Sequence, residues 1–367
     1  MNDFQRQWSD TRDEAIAAFT AVGESGWYIL GREVREFEAA LAAYWGLGHA
    51  VGVASGLDAI EIALRVLGCG RGDRVLTTPV SAFATAMAIL RVGATPVFVD
   101  CDAFGLVDLD LARAALGQDR SIRFFVPVHL YGNALDADKM AAIGREFDCR
   151  IVEDCAQSIG ASHRGRPTGW AGGMAATSFY PTKNLGALGD GGAILCSEAA
   201  YAADARIWRD YGQGAKYRHD LIGYNSRLDE LQAAVLHRVY LGRLDRWTAK
   251  RRRIAKLYEA GIRNPAITLV GSPPDSSSCH HLFPVLVNPA RKLGFMQWLQ
   301  THDVACAEHY PVAIPDQPAM TGVDFQVLGE LDRAKCLCRS EVSLPIHPYL
   351  EDDEVARVTE ICNAWRG

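Results

Sequence analysis

The feature that most constrains this chain is a regular alternation of helix-like and strand-like segments between residue 32 and about residue 200. Arg32–Trp45 spaces its apolar side chains three to four residues apart, which predicts an amphipathic helix, and the apolar run His49–Ala54 is typical of a buried strand. Strands that are apolar on both sides predict a mostly parallel sheet with helices on both faces. The same patterns predict strands at 74–77, 96–99, 123–128, 150–152 and 175–179, and helices at 57–67, 86–91, 109–116 and 136–147.

The pattern changes in the C-terminal part of the chain. A long helical pattern runs from Leu228 to about Gly261, and the turn-rich stretch 264–279 marks the passage into a second, α+β part. We therefore expect a large domain over residues 1–250 and a small domain over residues 251–367. The basic run at 250–253, inside the long helix, is interpreted as a solvated helix face rather than as a nucleic-acid site.

Composition and charge exclude several classes of partner. The chain has 38 Lys and Arg against 44 Asp and Glu, a net charge of −6, so neither nucleic acid nor an anionic membrane is expected as the main partner. No apolar run is long enough to span a bilayer, and the polar N-terminal residues lack the pattern of a secretory signal, so a cytoplasmic location is expected. Ten scattered cysteines without a paired CxxC predict reduced thiols and no bound metal.

Three groups of residues have the chemistry that an organic phosphate cofactor requires. The segment SGLD at 55–58 lies between a strand and a helix, where backbone N–H groups and the helix dipole attract an anion. Asp154 ends an apolar strand, where open α/β sheets bind ligands, and Lys183 lies in a glycine-rich loop. Taken singly, each has an ordinary interpretation, as a helix N-cap or as a solvent-exposed lysine. Together they match pyridoxal 5′-phosphate (PLP), which needs an anion site, a carboxylate at its pyridine nitrogen and an amine at its aldehyde.

Seven segments of the chain resemble one known family, in the order in which that family has them. They are SGLDAIEIALRVLGCGRGD (55–73), ATPVFVD (94–100), PVHLYGNALD (127–136), VEDCAQSIGA (152–161), SFYPTKNLGALGDGGA (178–193), GYNSRLDELQAA (223–234) and SLPIHP (343–348). The chain thus resembles the DegT/DnrJ/EryC1/StrS family of nucleotide-sugar aminotransferases. The resemblance implies the fold of the fold-type I PLP-transferases, similar to aspartate aminotransferase, with a mostly parallel seven-stranded sheet in an α/β large domain and a smaller α+β C-terminal domain.

The resemblance also implies which residues bind the cofactor ring and do the chemistry. Lys183 would carry the cofactor's aldehyde as a Schiff base and move the proton during the reaction. Asp154 would pair with the pyridine nitrogen, and Gln157 would bond the 3-hydroxyl of the ring. The aromatic residue that stacks on the ring in the family aligns with Ala82, beside Phe83, so the stacking residue is left unassigned.

The phosphate would be held by residues from two subunits, as the resemblance implies. Ser178 and the backbone amides of Gly56 and Leu57 would bind it within one chain. The family usually has Thr where this chain has Leu57, so a hydroxyl contact is lost there. Asn225 would complete the phosphate site from the other subunit, because the active sites of the family lie at a homodimer interface.

Substrate residues are implied in two places. The loop Gly212–Gly223 would cross the interface and bring Lys216, Tyr217 and His219 to the nucleotide sugar of the partner. His309 and Tyr310 resemble a family segment near the sugar, although the motif that follows them is degraded in this chain.

The resemblance implies that L-glutamate gives its amine to the cofactor and that a nucleotide-linked keto-sugar receives it. GYNSRLDE resembles the branch that aminates C3 more than the branch that aminates C4, which favours a dTDP-3-keto-6-deoxyhexose as substrate. A C4-keto nucleotide sugar and a keto-cyclitol stay open as alternatives. A non-catalytic regulator with the same fold is disfavoured because Lys183, Asp154 and Gln157 are all present. The sugar-dehydratase branch is disfavoured because it replaces this lysine with histidine.

Overall fold

Helices and strands follow one another along the whole described chain, which in this computed structural model comprises residues 2–367. The helices are α1 (Phe4–Ser25), α2 (Arg32–Trp45), α3 (Gly56–Val66), α4 (Ala84–Arg91), α5 (Leu109–Gln118), α6 (Ala137–Phe147), α7 (Ala199–Arg209), α8 (Glu230–Val235), α9 (Leu244–Gly261), α10 (Lys292–Thr301), α11 (Asp332–Ser340) and α12 (Asp352–Ala364). The strands are β1 (His49–Val53), β2 (Arg74–Thr77), β3 (Thr95–Phe98), β4 (Ile122–Val126), β5 (Arg150–Ile151), β6 (Glu153–Asp154), β7 (Ser162–His163), β8 (Arg166–Pro167), β9 (Met174–Ser178), β10 (Gly192–Cys196), β11 (Gln213–Ala215), β12 (Arg218–His219), β13 (Thr268–Leu269), β14 (Ser276–Ser277), β15 (Phe283–Leu286), β16 (Gln326–Val327) and β17 (Glu341–Leu344).

The central sheet has the strand order β16-β3-β2-β4-β5/β6-β9-β10-β1, because β5 and β6 are consecutive parts of one strand interrupted at Val152. All of its strands are parallel except β10, which is antiparallel to both of its neighbours. The seven strands before residue 200 form the predicted mostly parallel sheet, and the two-residue strand β16 adds to its edge. The sequence patterns did not predict β10, which follows the glycine-rich loop directly.

The core lies on both faces of this sheet, as the apolar strands predict. Neighbouring residues of one strand point to opposite faces, so Phe125 packs into one apolar cluster while Phe124 and Val126 pack into another. On β9 the same alternation divides Ala175 from Met174. Because the strands are packed on both faces, their carboxyl ends have fixed positions. The side chains of the residues at those ends are therefore fixed as well.

The C-terminal part packs around a second, antiparallel sheet with the order β13-β15-β17. The helix α9 contributes Trp247 to the core of the large sheet, and its later residues Ile254 and Tyr258 to the separate cluster around β15 and β17. A domain boundary at residues 250/251, inside this helix, stays a prediction. None of the helices between residues 2 and 367 has the length and apolar character needed to cross a membrane.

The interpretation of the basic run at 250–253 was wrong for two of its residues. Arg251 is buried, and its Nη1 donates a hydrogen bond of 2.8 Å to the carbonyl of Ile346. Arg252 donates to the carbonyls of Ser278 and Gly160, at 2.9 and 3.0 Å. These arginines donate to backbone carbonyl groups that lie outside helices and strands. They therefore connect α9 to neighbouring loops rather than face solvent.

Candidate active site

The start of α3 and the end of β9 together form an anion site. Ser55 caps α3, and its Oγ accepts the N–H of Asp58 at 3.1 Å, which leaves the amides of Gly56 and Leu57 without a hydrogen-bond acceptor anywhere in residues 2–367. A Cβ on Gly56 would lie 2.6 Å from the Cβ of Ser178, so only glycine allows this close approach. Two free amides and the hydroxyl of Ser178 therefore meet at one place, as a phosphate requires.

Asp154 lies at the carboxyl end of β6 and is buried. Its Oδ1 accepts the N–H of Ala156 at 3.1 Å, and its Oδ2 accepts the hydroxyl of Thr85 at 2.8 Å. Burial raises the pKa of Asp154, while the Ala156 amide, the Thr85 hydroxyl and the positive charge of Lys183 oppose that rise. The carboxylate is thus held in a fixed orientation and is suited to face a cationic ring nitrogen.

Lys183 is presented by a tight turn that follows β9. Its backbone N–H donates to the carbonyl of Tyr180 at 2.8 Å. At the end of the turn the backbone N–H of Ala187 donates to the carbonyl of Phe179 at 2.7 Å. Burial lowers the pKa of Lys183 to about 8, although the negative charge of Asp154 acts in the opposite direction. A half-buried lysine of this kind is partly unprotonated near neutral pH, as a nucleophilic amine must be.

Gln157 connects the predicted ring site with the segment that carries His309 and Tyr310. Its Oε1 accepts the backbone N–H of Tyr131 at 2.7 Å, and its Nε2 donates to the hydroxyl of Tyr310 at 3.1 Å. Tyr131 has the positive φ of 62° that non-glycine residues rarely adopt, and its hydroxyl donates to the carbonyl of His309 at 2.6 Å. The backbone turn at Tyr131 therefore directs its amide to Gln157, and its side chain anchors the segment that carries His309 and Tyr310.

The positive charge of Lys183 acts on the pKa of two histidines, His281 and His309. Burial, with the charge of Lys183 in second place, lowers the pKa of His309 to about 4. The same causes lower the pKa of His281, whose Nδ1 lies 3.2 Å from the Oδ1 of Asn184. Both imidazoles are therefore uncharged at neutral pH and can accept as well as donate hydrogen bonds.

The residues that are predicted to act on the partner's site lie outside this cluster. Lys216, Tyr217 and His219 are exposed on the β11–β12 hairpin, where Tyr217 is 84% exposed. Asn225 is also exposed, and its side chain makes no hydrogen bond within the part of the chain that the structure describes. Their roles in a shared site stay predictions.

The structure thus brings together most of the predicted cofactor and substrate residues of one chain, namely Gly56, Leu57, Asp154, Gln157, Ser178, Lys183, His309 and Tyr310. It also adds residues that the sequence patterns missed. Thr85 and His281 lie outside the recognised motifs, and Tyr131 lies within the segment 127–136, where the resemblance gave it no role. Phe83, beside the unassigned stacking position, packs against the apolar cluster around Phe98.

Thr85→Val is expected to weaken the binding of PLP by roughly ten- to a hundredfold, the effect of losing one hydrogen bond to a charged group. Valine keeps the volume of Thr85 but leaves Oδ2 of the buried Asp154 without its donor. The dissociation constant is measured by titrating apoenzyme with PLP and following protein fluorescence. Thr85→Ser, which keeps the hydroxyl, is the matched control and should bind nearly as wild type; equal affinities for the valine and serine variants would contradict this role.

Comparison with known proteins places the chain among transaminases. The sequence profile of the DegT/DnrJ/EryC1/StrS aminotransferase family matches residues 9–363. The dTDP-3-amino-3,4,6-trideoxy-alpha-D-glucose transaminase of Streptomyces venezuelae is 40% identical over 366 residues, which cover 99% of this chain and 95% of that protein. A protein of Geobacillus stearothermophilus named pleiotropic regulatory protein is 37% identical over 361 residues, with coverages of 98% and 96%.

A solved structure agrees with these relatives. The crystal structure of S. venezuelae DesV in complex with a ketimine intermediate matches this fold with a TM-score of 0.94 at 40% identity, covering 99% of this chain and 97% of DesV. The predicted fold class is therefore confirmed. Because the family profile spans nearly the whole sequence and the relatives are full-length matches, the chain belongs to the DegT/DnrJ/EryC1/StrS aminotransferase family.

Proposed function

We propose that this enzyme moves the amino group of L-glutamate to C3 of a dTDP-linked 3-keto-6-deoxyhexose, with PLP as its cofactor. The observation that carries the proposal is the meeting of three groups at one edge of the sheet: the Lys183 amine, the Asp154 carboxylate and the anion site at Gly56 and Ser178. Each of them matches one part of PLP: the aldehyde, the pyridine nitrogen and the phosphate.

The residues of the chain divide the work of binding and proton transfer. When bound, PLP supplies a conjugated ring that accepts the electron pair released at the reacting carbon. Ser178 and the amides of Gly56 and Leu57 hold the phosphate, and Asp154 keeps a proton on the pyridine nitrogen. Lys183 is the nucleophile and base, and its lowered pKa leaves part of its Nζ unprotonated at neutral pH.

The sugar and its reacting carbon are inferred from the relatives and from one motif. The S. venezuelae relative is named for a dTDP-3-amino sugar, and the segment GYNSRLDE at 223–230 resembles the branch of the family that aminates C3. One relative is named as a regulator, but a regulator without turnover would not need a half-buried lysine of lowered pKa beside a buried carboxylate. The complete site therefore favours catalysis.

A panel of keto substrates tests the proposed specificity. The PLP-loaded enzyme is given L-glutamate with a dTDP-3-keto sugar, a dTDP-4-keto sugar, a UDP-3-keto sugar or scyllo-inosose, and kcat/KM is measured for each. We expect the highest kcat/KM with the dTDP-3-keto sugar. A higher value with the 4-keto sugar or with scyllo-inosose would move the assignment to the C4 branch or to keto-cyclitols.

We further propose that the enzyme works as a homodimer with shared active sites. Three large apolar side chains, Tyr211, Tyr217 and Ile222, are exposed in and beside the β11–β12 hairpin, and Ile222 is 95% exposed. A second subunit that covers them would remove this surface from water. Asn225 lies in the adjoining segment, so that the same contact would bring it to the phosphate of the partner.

Mixing two impaired variants tests the shared site. Lys183→Ala and Asn225→Asp chains should each have little activity alone, because the first lacks the amine and the second sets a carboxylate against the phosphate. After subunit exchange, about half of the dimers contain one chain of each kind and one intact site, so about a quarter of the wild-type activity should return. Absence of recovery after demonstrated exchange, or full activity in a monomer measured by light scattering, would contradict the shared site.

A further inference from the structure

A chain of three polar side chains ends at the imidazole of His309. Glu341 and Ser343 are fully buried on β17, two residues apart, so their side chains point to the same side of the strand. The Oγ of Ser343 lies 2.6 Å from Oε1 of Glu341 and 2.9 Å from Nδ1 of His309. The other carboxylate oxygen, Oε2, accepts the backbone N–H of His309 at 2.6 Å. One buried carboxylate thus holds both the backbone and, through Ser343, the ring of His309.

The direction of these hydrogen bonds follows from the charge of Glu341. Burial raises the pKa of Glu341 to about 7; above that pH the ionised carboxylate only accepts, so the hydroxyl of Ser343 donates its proton to Oε1. The oxygen of Ser343 is then left as an acceptor for Nδ1, which must carry the proton of the neutral imidazole. The Nε2 of His309 consequently has a free lone pair, and no group in residues 2–367 donates to it.

The imidazole held in this way stands beside the reacting groups. The charge of Lys183 acts on His309, and the carbonyl of His309 is anchored by Tyr131, whose amide also binds Gln157. The next residue, Tyr310, contacts Gln157 directly. The segment that carries His309 therefore lies beside the predicted ring site, and Nε2 is the atom of its imidazole that is left without a partner.

We propose that Glu341 and Ser343 are positioning residues that fix His309 as a hydrogen-bond acceptor at Nε2 for a hydroxyl of the keto-sugar. The orientation of this hydroxyl next to the reacting ketone would then depend on the tautomer that the buried carboxylate sets. The sugar contact rests on the proposed function, whereas the tautomer does not, so the two are tested separately.

The tautomer is measured by nitrogen NMR on enzyme labelled with 15N-histidine. The signals of His309 are assigned by their absence in His309→Gln. Because burial raises the pKa of Glu341 to about 7, the spectra are recorded at about pH 8, where its carboxylate is mostly ionised. We expect a protonated Nδ1 and an unprotonated Nε2 in the wild type. In Glu341→Gln the amide can donate to Ser343, so the hydroxyl of Ser343 should donate to Nδ1 of His309 and the imidazole proton should lie on Nε2. A protonated Nε2 in the wild type would overturn the proposal.

The sugar contact is measured by comparing the two half-reactions. In Glu341→Gln the proton at Nε2 would force the sugar hydroxyl to turn and accept instead of donate, which removes it from the orientation set in the wild type. KM for the keto-sugar should therefore rise roughly two- to tenfold, the effect of one neutral hydrogen bond, while the reaction with L-glutamate is unchanged. Ser343→Ala should show a rise in KM as well, and Ser343→Thr, which keeps the hydroxyl, should restore the wild-type value. Equal losses in both half-reactions, or no rescue by threonine in variants that keep the wild-type Tm, would overturn the role of these residues.

Discussion

Lys183→Ala is expected to abolish the covalent attachment of PLP and to lower turnover by roughly 10²–10⁴-fold, the contribution of a positioned proton-transfer group. Alanine removes the only amine of the glycine-rich loop, and with it both the nucleophile and the base. Wild-type enzyme reduced with borohydride should give one peptide with a pyridoxyl group on Lys183. The visible absorbance of the covalently bound cofactor in unreduced wild-type enzyme should be absent from Lys183→Ala.

The matched control for this experiment is Lys250→Ala, because Lys250 is an exposed lysine on α9 away from the site. It should keep the wild-type absorbance, label and turnover. A pyridoxyl label on any lysine other than Lys183 in the wild type would contradict the assignment of the site.

Asp154→Asn is expected to keep some PLP but to lose roughly 10²–10³-fold in kcat, the cost of removing one preorganised electrostatic partner. A neutral amide can no longer hold the proton on the pyridine nitrogen, so the ring withdraws electrons less well. Steady-state kinetics with saturating PLP measures the loss in kcat separately from the loss in cofactor affinity.

The control for the aspartate variant is Asp136→Asn at the N-cap of α6, where asparagine caps as well as aspartate. We expect that variant to have wild-type kinetics. Near-wild-type turnover in Asp154→Asn itself would show that the carboxylate does not maintain the protonated ring.

The local patterns predicted the architecture well, because strand and helix periods are properties of neighbouring residues. The helix Arg32–Trp45 and the strand Arg74–Thr77 have the predicted bounds. The predicted long helical pattern from Leu228 to Gly261 is found as α8 and α9, joined by π- and 3-10-helical turns over residues 236–243. The strand β10 was missed because it lies directly after a glycine-rich loop, and nothing in its sequence indicates that it runs against its neighbours.

The site was predictable where one motif carries both the side chain and the element that places it, as with Asp154 and Lys183. It was not predictable where residues from distant segments meet. Thr85 reaches Asp154, and Glu341 reaches His309, only through the tertiary fold. Burial decides such contacts, and it also explains why Arg251, in a run that looks solvated in sequence, binds carbonyl groups in the interior.

The most direct test of the proposed activity follows the nitrogen atom itself. PLP-loaded enzyme is incubated with L-glutamate labelled with 15N at its amino group and with a dTDP-3-keto-6-deoxyhexose, and the products are analysed by mass spectrometry and NMR. We expect one 15N at C3 of the nucleotide sugar for each 2-oxoglutarate formed, and no transfer with Lys183→Ala. Formation of 2-oxoglutarate by the wild type without label in the sugar would contradict the proposed transfer.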